Sequence, residues 1–269
     1  MQTSNGTSLR FCANLKWLFT ELPFLERFEA AAKQGFSAVE YASPYEFEPA
    51  ILKATLDATG LRQVLINTPA APPGSIGGNG FGCIPGERAR YRDGVLRALH
   101  YASALKCGLI HVMAGLAPGG VPVEQVRDTL RENLAWAADA ARDSGVTLLL
   151  ECLNQIDVPG YALRSLEEAH ALMKEIAQPK LRLLFDAYHC RMSGLDVVEQ
   201  FALYAPDVAH IQFADAPGRH EPGTGDMPWN ELIASIRAQG YEGWIGCEYR
   251  PRESTVAGLG WLNAFKEAP

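Results

Sequence analysis

The chain has 269 residues, 48% hydrophobic and 20% charged, with a formal net charge of −7. That size and balance suit one soluble α/β barrel with a substantial core. The negative charge, with no Lys/Arg stripe, excludes a nucleic acid or an anionic membrane as partner, since both need a concentrated basic surface.

The start of the chain, Met1 to Leu9, is polar, and the apolar stretch after Arg10 is broken by Asn14 and Lys16. No signal peptide is expected there, and no apolar run reaches the roughly 20 residues a transmembrane helix needs. The six cysteines (Cys12, Cys83, Cys107, Cys152, Cys190, Cys247) form no CxxC pair. They read as free thiols in a reducing compartment, which makes the cytoplasm the expected location.

In chain order, strand-like runs fall at Leu9–Ala13, Ala38–Tyr41, Gln63–Asn67, Leu109–Met113, Val146–Glu151, Arg182–Asp186, Val208–Phe213 and Trp244–Glu248. Helical patterns separate them, among others Pro23–Gln34, Arg88–Lys106, Val123–Ser144, Ser165–Ala177 and Trp229–Gln239, with Gly35, Gly60, Gly108, Gly145 and Gly240 where helices should stop. Eight such alternations predict a parallel sheet closed into a (β/α)8 TIM barrel, one domain over residues 1–269 with 1–8 as a flexible extension. The Gly/Pro-rich stretch Thr68–Gly86 follows the third strand, on the side where barrel active sites sit; it reads either as a lid or as a disordered loop.

Four of the runs end on oxygen donors: VTLLLE at Glu151, LRLLFD at Asp186, VAHIQF around Gln212 and GWIGCE at Glu248. Burying one such group alone costs several kcal/mol, on the order of 2–7. Four in succession look like a polar cluster at one rim of the barrel, and the set suits Mg²⁺ or Mn²⁺ better than Zn²⁺, which recruits His or Cys. Glu151 and Glu248, on the fifth and eighth strands, can flank a small substrate. One as base and one as acid, they can move a proton between adjacent carbons of a hydroxy-carbonyl compound through an enediolate. Period-two alternation turns Cys152 and Cys247 outward as packing residues.

Other candidates are left with two readings. His189, in FDAYH, is a substrate contact or a packed histidine. Arg219, in DAPGRHEPGTG, recognises a substrate carboxylate or stabilises its loop through Glu221 or Asp215. Asn67 reaches substrate or closes a turn. Lys16 and Trp17, after the first strand, wall a pocket with Lys16 as a substrate contact. His111 and His210 read as inner-barrel residues hydrogen-bonded to neighbours. Asn154 and Asp157 orient Glu151 or form a turn.

The segments ECLNQIDVPGYAL, FDAYH, HIQFADAPGRHEPGTG and YEGWIGCEYRP, with the early ANLKWLF and ELPFLERFEAAAKQGF, resemble the hydroxypyruvate isomerase family of xylose isomerase-like barrels. The resemblance runs from about Leu9 to Trp261. It implies a divalent metal on Glu151, Asp186, Gln212 and Glu248, the two glutamates as acid and base, and His189 and Arg219 near the substrate. It implies interconversion of hydroxypyruvate and tartronate semialdehyde, or of a four-carbon 2-oxotetronate by the same chemistry. Three departures stand out: PPGSIGGNGFG replaces a loop with a Trp and a basic residue, Ile66 stands where a His is expected, and Glu151 is followed by Cys152 instead of Pro. They bear on the substrate more than on the reaction type.

The reading is thus a cytoplasmic, homo-oligomeric, metal-dependent isomerase of a small keto-acid, with no nucleic-acid or membrane partner. A ketose 3-epimerase acting on a neutral sugar is the alternative the altered loop favours. A DNA-repair endonuclease would need more His ligands and a basic groove. A barrel that only binds sugar would not need both glutamates.

Overall fold

A computed structural model of the chain describes residues 8–267. The expected flexible extension, residues 1–8, lies outside the described residues except for Ser8. The strands are β1 (Arg10–Asn14), β2 (Ala38–Glu40), β3 (Arg62–Gln63), β4 (Leu65–Asn67), β5 (Leu109–His111), β6 (Thr147–Glu151), β7 (Leu181–Asp186), β8 (Val208–Phe213) and β9 (Trp244–Cys247). All the pairings between them are parallel, in the order β3-β2-β1-β9-β8-β7-β6-β5-β4.

β3 and β4 are two pieces of one stave, interrupted at Val64. The Val64 amide still donates to Val39 O (2.9 Å) and the Asn67 amide to Ala42 O (3.0 Å), which carries the ring across to β2. Eight staves therefore form the expected barrel, wrapped by α1 (Glu26–Lys33), α2 (Pro49–Thr59), α3 (Arg88–Leu105), α4 (Val123–Ala140), α5 (Leu166–Ile176), α6 (Ala187–Met192), α7 (Val197–Tyr204) and α8 (Trp229–Ala238), with α9 (Trp261–Glu267) closing the described chain. The helix expected over Pro23–Gln34 starts later, because Pro23 begins a turn in which the Glu26 amide donates to its carbonyl. The helix expected to run to Ser144 stops at Ala140, where the Arg142 amide tightens onto Asp139 O. α3 ends through Lys106 in the left-handed region (φ +52°) and not at Gly108.

Two layers fill the barrel. Outward-facing Ile66, Ile110, Leu148, Leu150, Phe185 and Ile211 belong to the large core shared with the helices. Inward-facing Cys12, Ala38, Leu65, Leu149 and Leu184 form a small apolar plug, as interdigitated side chains do in this architecture. Ile66 is fully buried on the helix side, so its difference from the expected His does not reach the barrel interior. The 68–86 segment is a packed strap in its second half: Cys83 donates to Ala114 O, Asn133 holds Gly82 O, and Phe81 and Ile84 are buried. Gly80 lies so close to Met113 that a Cβ would stand 2.5 Å from its backbone oxygen.

Candidate active site

Above the plug, each stave turns one polar side chain inward near its C-terminal end. From β1 to β5 these are Asn14, Glu40, Asn67 and His111; on β6 to β8 they are Glu151, Asp186 and Gln212, and Glu248 follows β9. The alternation that sends Leu149, Leu184 and His210 inward sends Glu151, Asp186 and Gln212 to the same face two residues later. Asp186 and Gln212 sit opposite one another in register. A cavity of about 20 Å³ lies among Asn14, Glu40, Asn67, Glu151, Gln212 and Glu248, room for little more than one water-sized body. Asn67 also borders an open cleft of about 810 Å³ lined by exposed Lys16 and by residues 70–73 of the strap.

Asp186 divides its carboxylate between two tasks. Oδ1 caps α6, accepting from the amides of Tyr188 (2.7 Å) and His189 (3.2 Å), while Oδ2 is buried with no hydrogen-bond partner. Gln212 is divided too: Nε2 donates to Glu40 Oε1 (2.9 Å), and Oε1 is buried without a partner. An unmet buried acceptor costs about 1–3 kcal/mol, so two on facing residues of adjacent strands mark a place suited to a positive group.

The charge balance points the same way. Glu151, Asp186 and Glu248 converge on one guanidinium, Arg219, whose Nη2 lies 3.0 Å from Glu248 Oε2 and 3.6 Å from Asp186 Oδ2. Burial pushes the Glu151 carboxyl well up from its ordinary range, and the neighbouring Glu248 and Asp186 charges add to this. Burial raises Glu248 and Asp186 as well, against the opposing pull of Arg219. Burial alone would lower Arg219, but these carboxylates raise it instead. Its guanidinium stacks 4.9 Å from the Trp17 ring and 4.7 Å from that of Tyr188, and Trp17 Nε1 also donates to Glu248 Oε1 (3.3 Å). A hard divalent cation fits this oxygen set, with its unmet acceptors and surplus negative charge.

The ligating atoms of Glu151, Asp186 and His189 lie within 4.8 Å of one another. The Asn154 amide donates to His189 Nδ1 (3.1 Å), which leaves the imidazole proton on Nε2, 3.8 Å from Asp186 Oδ2. Burial, then Arg219, pushes His189 down to about 3, so the ring is neutral and faces the carboxylates as a donor, not as a ligand.

The structure corrects several sequence expectations. Arg219 pairs with neither Glu221 nor Asp215. Asp215 instead organises the loop, accepting from the amides of Gly223, Thr224 and Met227 and from Trp229 Nε1. Of the two readings of Asn154 and Asp157 the turn holds, Asn154 Oδ1 accepting from the amides of Ile156 and Asp157, and the pair orients His189 and Tyr188, not Glu151. Trp17 does wall the site. His210 is hydrogen-bonded to Glu40, as an inner-barrel histidine should be. His111 stands 3.2 Å from Glu151 Oε2. The sequence reading missed Glu40, although AVEY ends an aliphatic strand on a carboxylate by the same rule that found the others.

Comparison with known proteins accords with this architecture. A family model for xylose isomerase-like TIM barrels matches residues 28–265. The chain belongs to that family. A 2-oxo-tetronate isomerase from Cupriavidus necator is 45% identical, over 95% of this chain and 98% of its own. The hydroxypyruvate isomerase of Escherichia coli is 38% identical, over 96% of this chain and 100% of its own. Within the family, the chain therefore groups with the 2-oxo-tetronate and hydroxypyruvate isomerases. A solved structure described as an AP endonuclease, family 2, from Brucella melitensis superposes with a TM-score of 0.91 at 37% identity, over 95% of this chain and 98% of that one.

Proposed function

We propose that this protein is a metal-dependent aldose–ketose isomerase of a short 2-keto-acid, with hydroxypyruvate and tartronate semialdehyde as the interconverted pair. The observation that carries the reading is the pair of buried, unpartnered oxygens, Asp186 Oδ2 and Gln212 Oε1, on facing residues of β7 and β8, with Glu151 ending β6 on one side and Glu248 following β9 on the other. Glu151, Asp186, Gln212 and Glu248 would hold the ion, Mg²⁺ or Mn²⁺. When bound, it stabilises negative charge developing on the substrate oxygens.

The chain's own groups divide the proton work. Glu248 is met by Arg219, Trp17 Nε1 and, at 3.4 Å, Asn14 Nδ2. It is the better-supported anion and acts as the base that takes the proton from the hydroxyl-bearing carbon. Glu151 acts as the acid that returns a proton to the adjacent carbonyl carbon, while the hydroxyl proton passes from one substrate oxygen to the other. His189 offers its Nε2–H to a substrate oxygen. Arg219, clamped between two aromatic rings at the mouth, takes the substrate carboxylate, and Asn67 and Lys16 line the approach.

A four-carbon 2-oxotetronate is the second reading. It is favoured by the higher identity to the relative of that name and by the open cleft beside Asn67. Incubation of Mg²⁺- or Mn²⁺-loaded protein with each acid in D2O, followed by NMR, tests both. Solvent deuterium on the carbons flanking the shifted carbonyl is expected. Exchange into a neutral ketose alone would make the protein an epimerase instead.

A further inference from the structure

Glu40 is buried at the inner ring, yet nothing in the proposed proton transfer uses it. Its four neighbours are all donors: Asn14 Nδ2 (2.9 Å) and Gln212 Nε2 (2.9 Å) to Oε1, His210 Nε2 (2.5 Å) and Cys12 Sγ (3.4 Å) to Oε2. Cys12, Glu40 and His210 could be taken for a second metal site, since their ligating atoms cluster within 4.8 Å. The distances argue otherwise. An N···O separation of 2.5 Å leaves no room for an ion between the two atoms; two ligands each about 2 Å from one tetrahedral ion stand well over 3 Å apart.

Of the two amides that meet Glu40, only that of Asn14 is fixed from a second side. Asn14 Oδ1 accepts from the Lys16 amide (3.1 Å), so its NH2 must face Glu40 and Glu248. Gln212 has no such second anchor; its Oε1 is unpartnered. The acceptor behind Gln212 is therefore what turns its NH2 inward and its oxygen toward the cavity. The fold makes room for this arrangement on β9. A Cβ at Gly246 would stand 2.3 Å from Glu40 Oε1, so a glycine lets the carboxylate lie against that strand.

We propose that Glu40 is a positioning residue that sets the amide of Gln212 oxygen-first toward the cation site. The inference rests on the metal reading of that site and adds a residue outside the four that would hold the ion. An amide free to turn would present NH2 to the cation in a share of molecules, and supporting contacts of this kind are worth about 10–100-fold in metal affinity.

The test is a double-mutant cycle on Mn²⁺ affinity, read from the EPR signal of free Mn²⁺ with circular dichroism as a fold check. Glu40→Ala should raise the Mn²⁺ Kd about 10–100-fold, and Gln212→Ala should raise it as well. In the Gln212→Ala background, Glu40→Ala should change the Kd little, because its route is already gone. Glu40→Met, which keeps bulk and removes the oxygens, should repeat the result if the alanine variant does not fold. Wild-type affinity in either folded variant, or two losses that simply multiply, would overturn the assignment. So would a failure of both Glu40 variants to fold, which would make Glu40 a folding residue. If the unaltered protein binds no Mn²⁺, the metal reading itself fails, which is a separate outcome.

Discussion

The two sides of the inner polar ring differ in how completely their acceptors are met. On the side of β1 and β2, Glu40 accepts from four donors and Asn14 uses both ends of its amide. On the side of β7 and β8, Asp186 and Gln212 each leave one buried oxygen with nothing to accept. Both sides are equally enclosed, so burial does not separate them. What separates them is whether the protein supplies the hydrogen-bond partner or leaves it to something that binds. A saturated carboxylate holds its neighbours in place; an unmet oxygen is free to meet a positive group.

The comparison breaks most severely at the two glutamates. Glu151→Gln and Glu248→Gln should each reduce kcat by about 10²–10⁴-fold, the usual worth of general acid–base catalysis. Substantial turnover in either variant would remove it from the proton path. The apolar plug beneath the ring should behave in the opposite way. Leu149→Ala should cost about 2–5 kcal/mol of stability in urea denaturation and leave Mn²⁺ affinity unchanged. A large loss of affinity there would mean that the plug and the site are not separable.

Arg219→Lys keeps the charge and loses the fork and the stacking on Trp17 and Tyr188. Its KM for a keto-acid should rise roughly tenfold, in line with the about 1.5–3 kcal/mol of a charge-assisted hydrogen bond. An unchanged KM would return Arg219 to a loop-holding role. The smallest effect concerns pH. Burial raises Glu151, Asp186 and Glu248, so they take up protons at higher pH than an ordinary carboxylate. A bound cation must displace those protons. Mn²⁺ affinity should therefore fall as pH drops toward these raised values, beginning above the usual carboxylate range near about 4.3, with proton release on binding seen by calorimetry in two buffers.

Much of the fold was legible in the sequence because strand runs that end on oxygen donors announce both the barrel and the polar rim at one end of it. Glu151, Asp186, Gln212 and Glu248 come from four staves and meet as that pattern requires. Asp186 serves two ends at once, with one oxygen capping α6 and the other 3.6 Å from Arg219 Nη2. Arg219 was ambiguous because its partners are distant in sequence; only the fold brings Glu248 and Asp186 to it. Glu40 was overlooked because its strand is three residues long, too short a run to draw attention. Its partners, Asn14 and Gln212, lie on strands far away in the chain.

The most direct test of the account is a crystal structure of the protein soaked in Mn²⁺, with anomalous data collected to locate the ion. One anomalous peak in ligating contact with Glu151, Asp186, Gln212 Oε1 and Glu248 is the predicted result. A peak at Cys12 and His210, or none near the four side chains at saturating Mn²⁺, would contradict it.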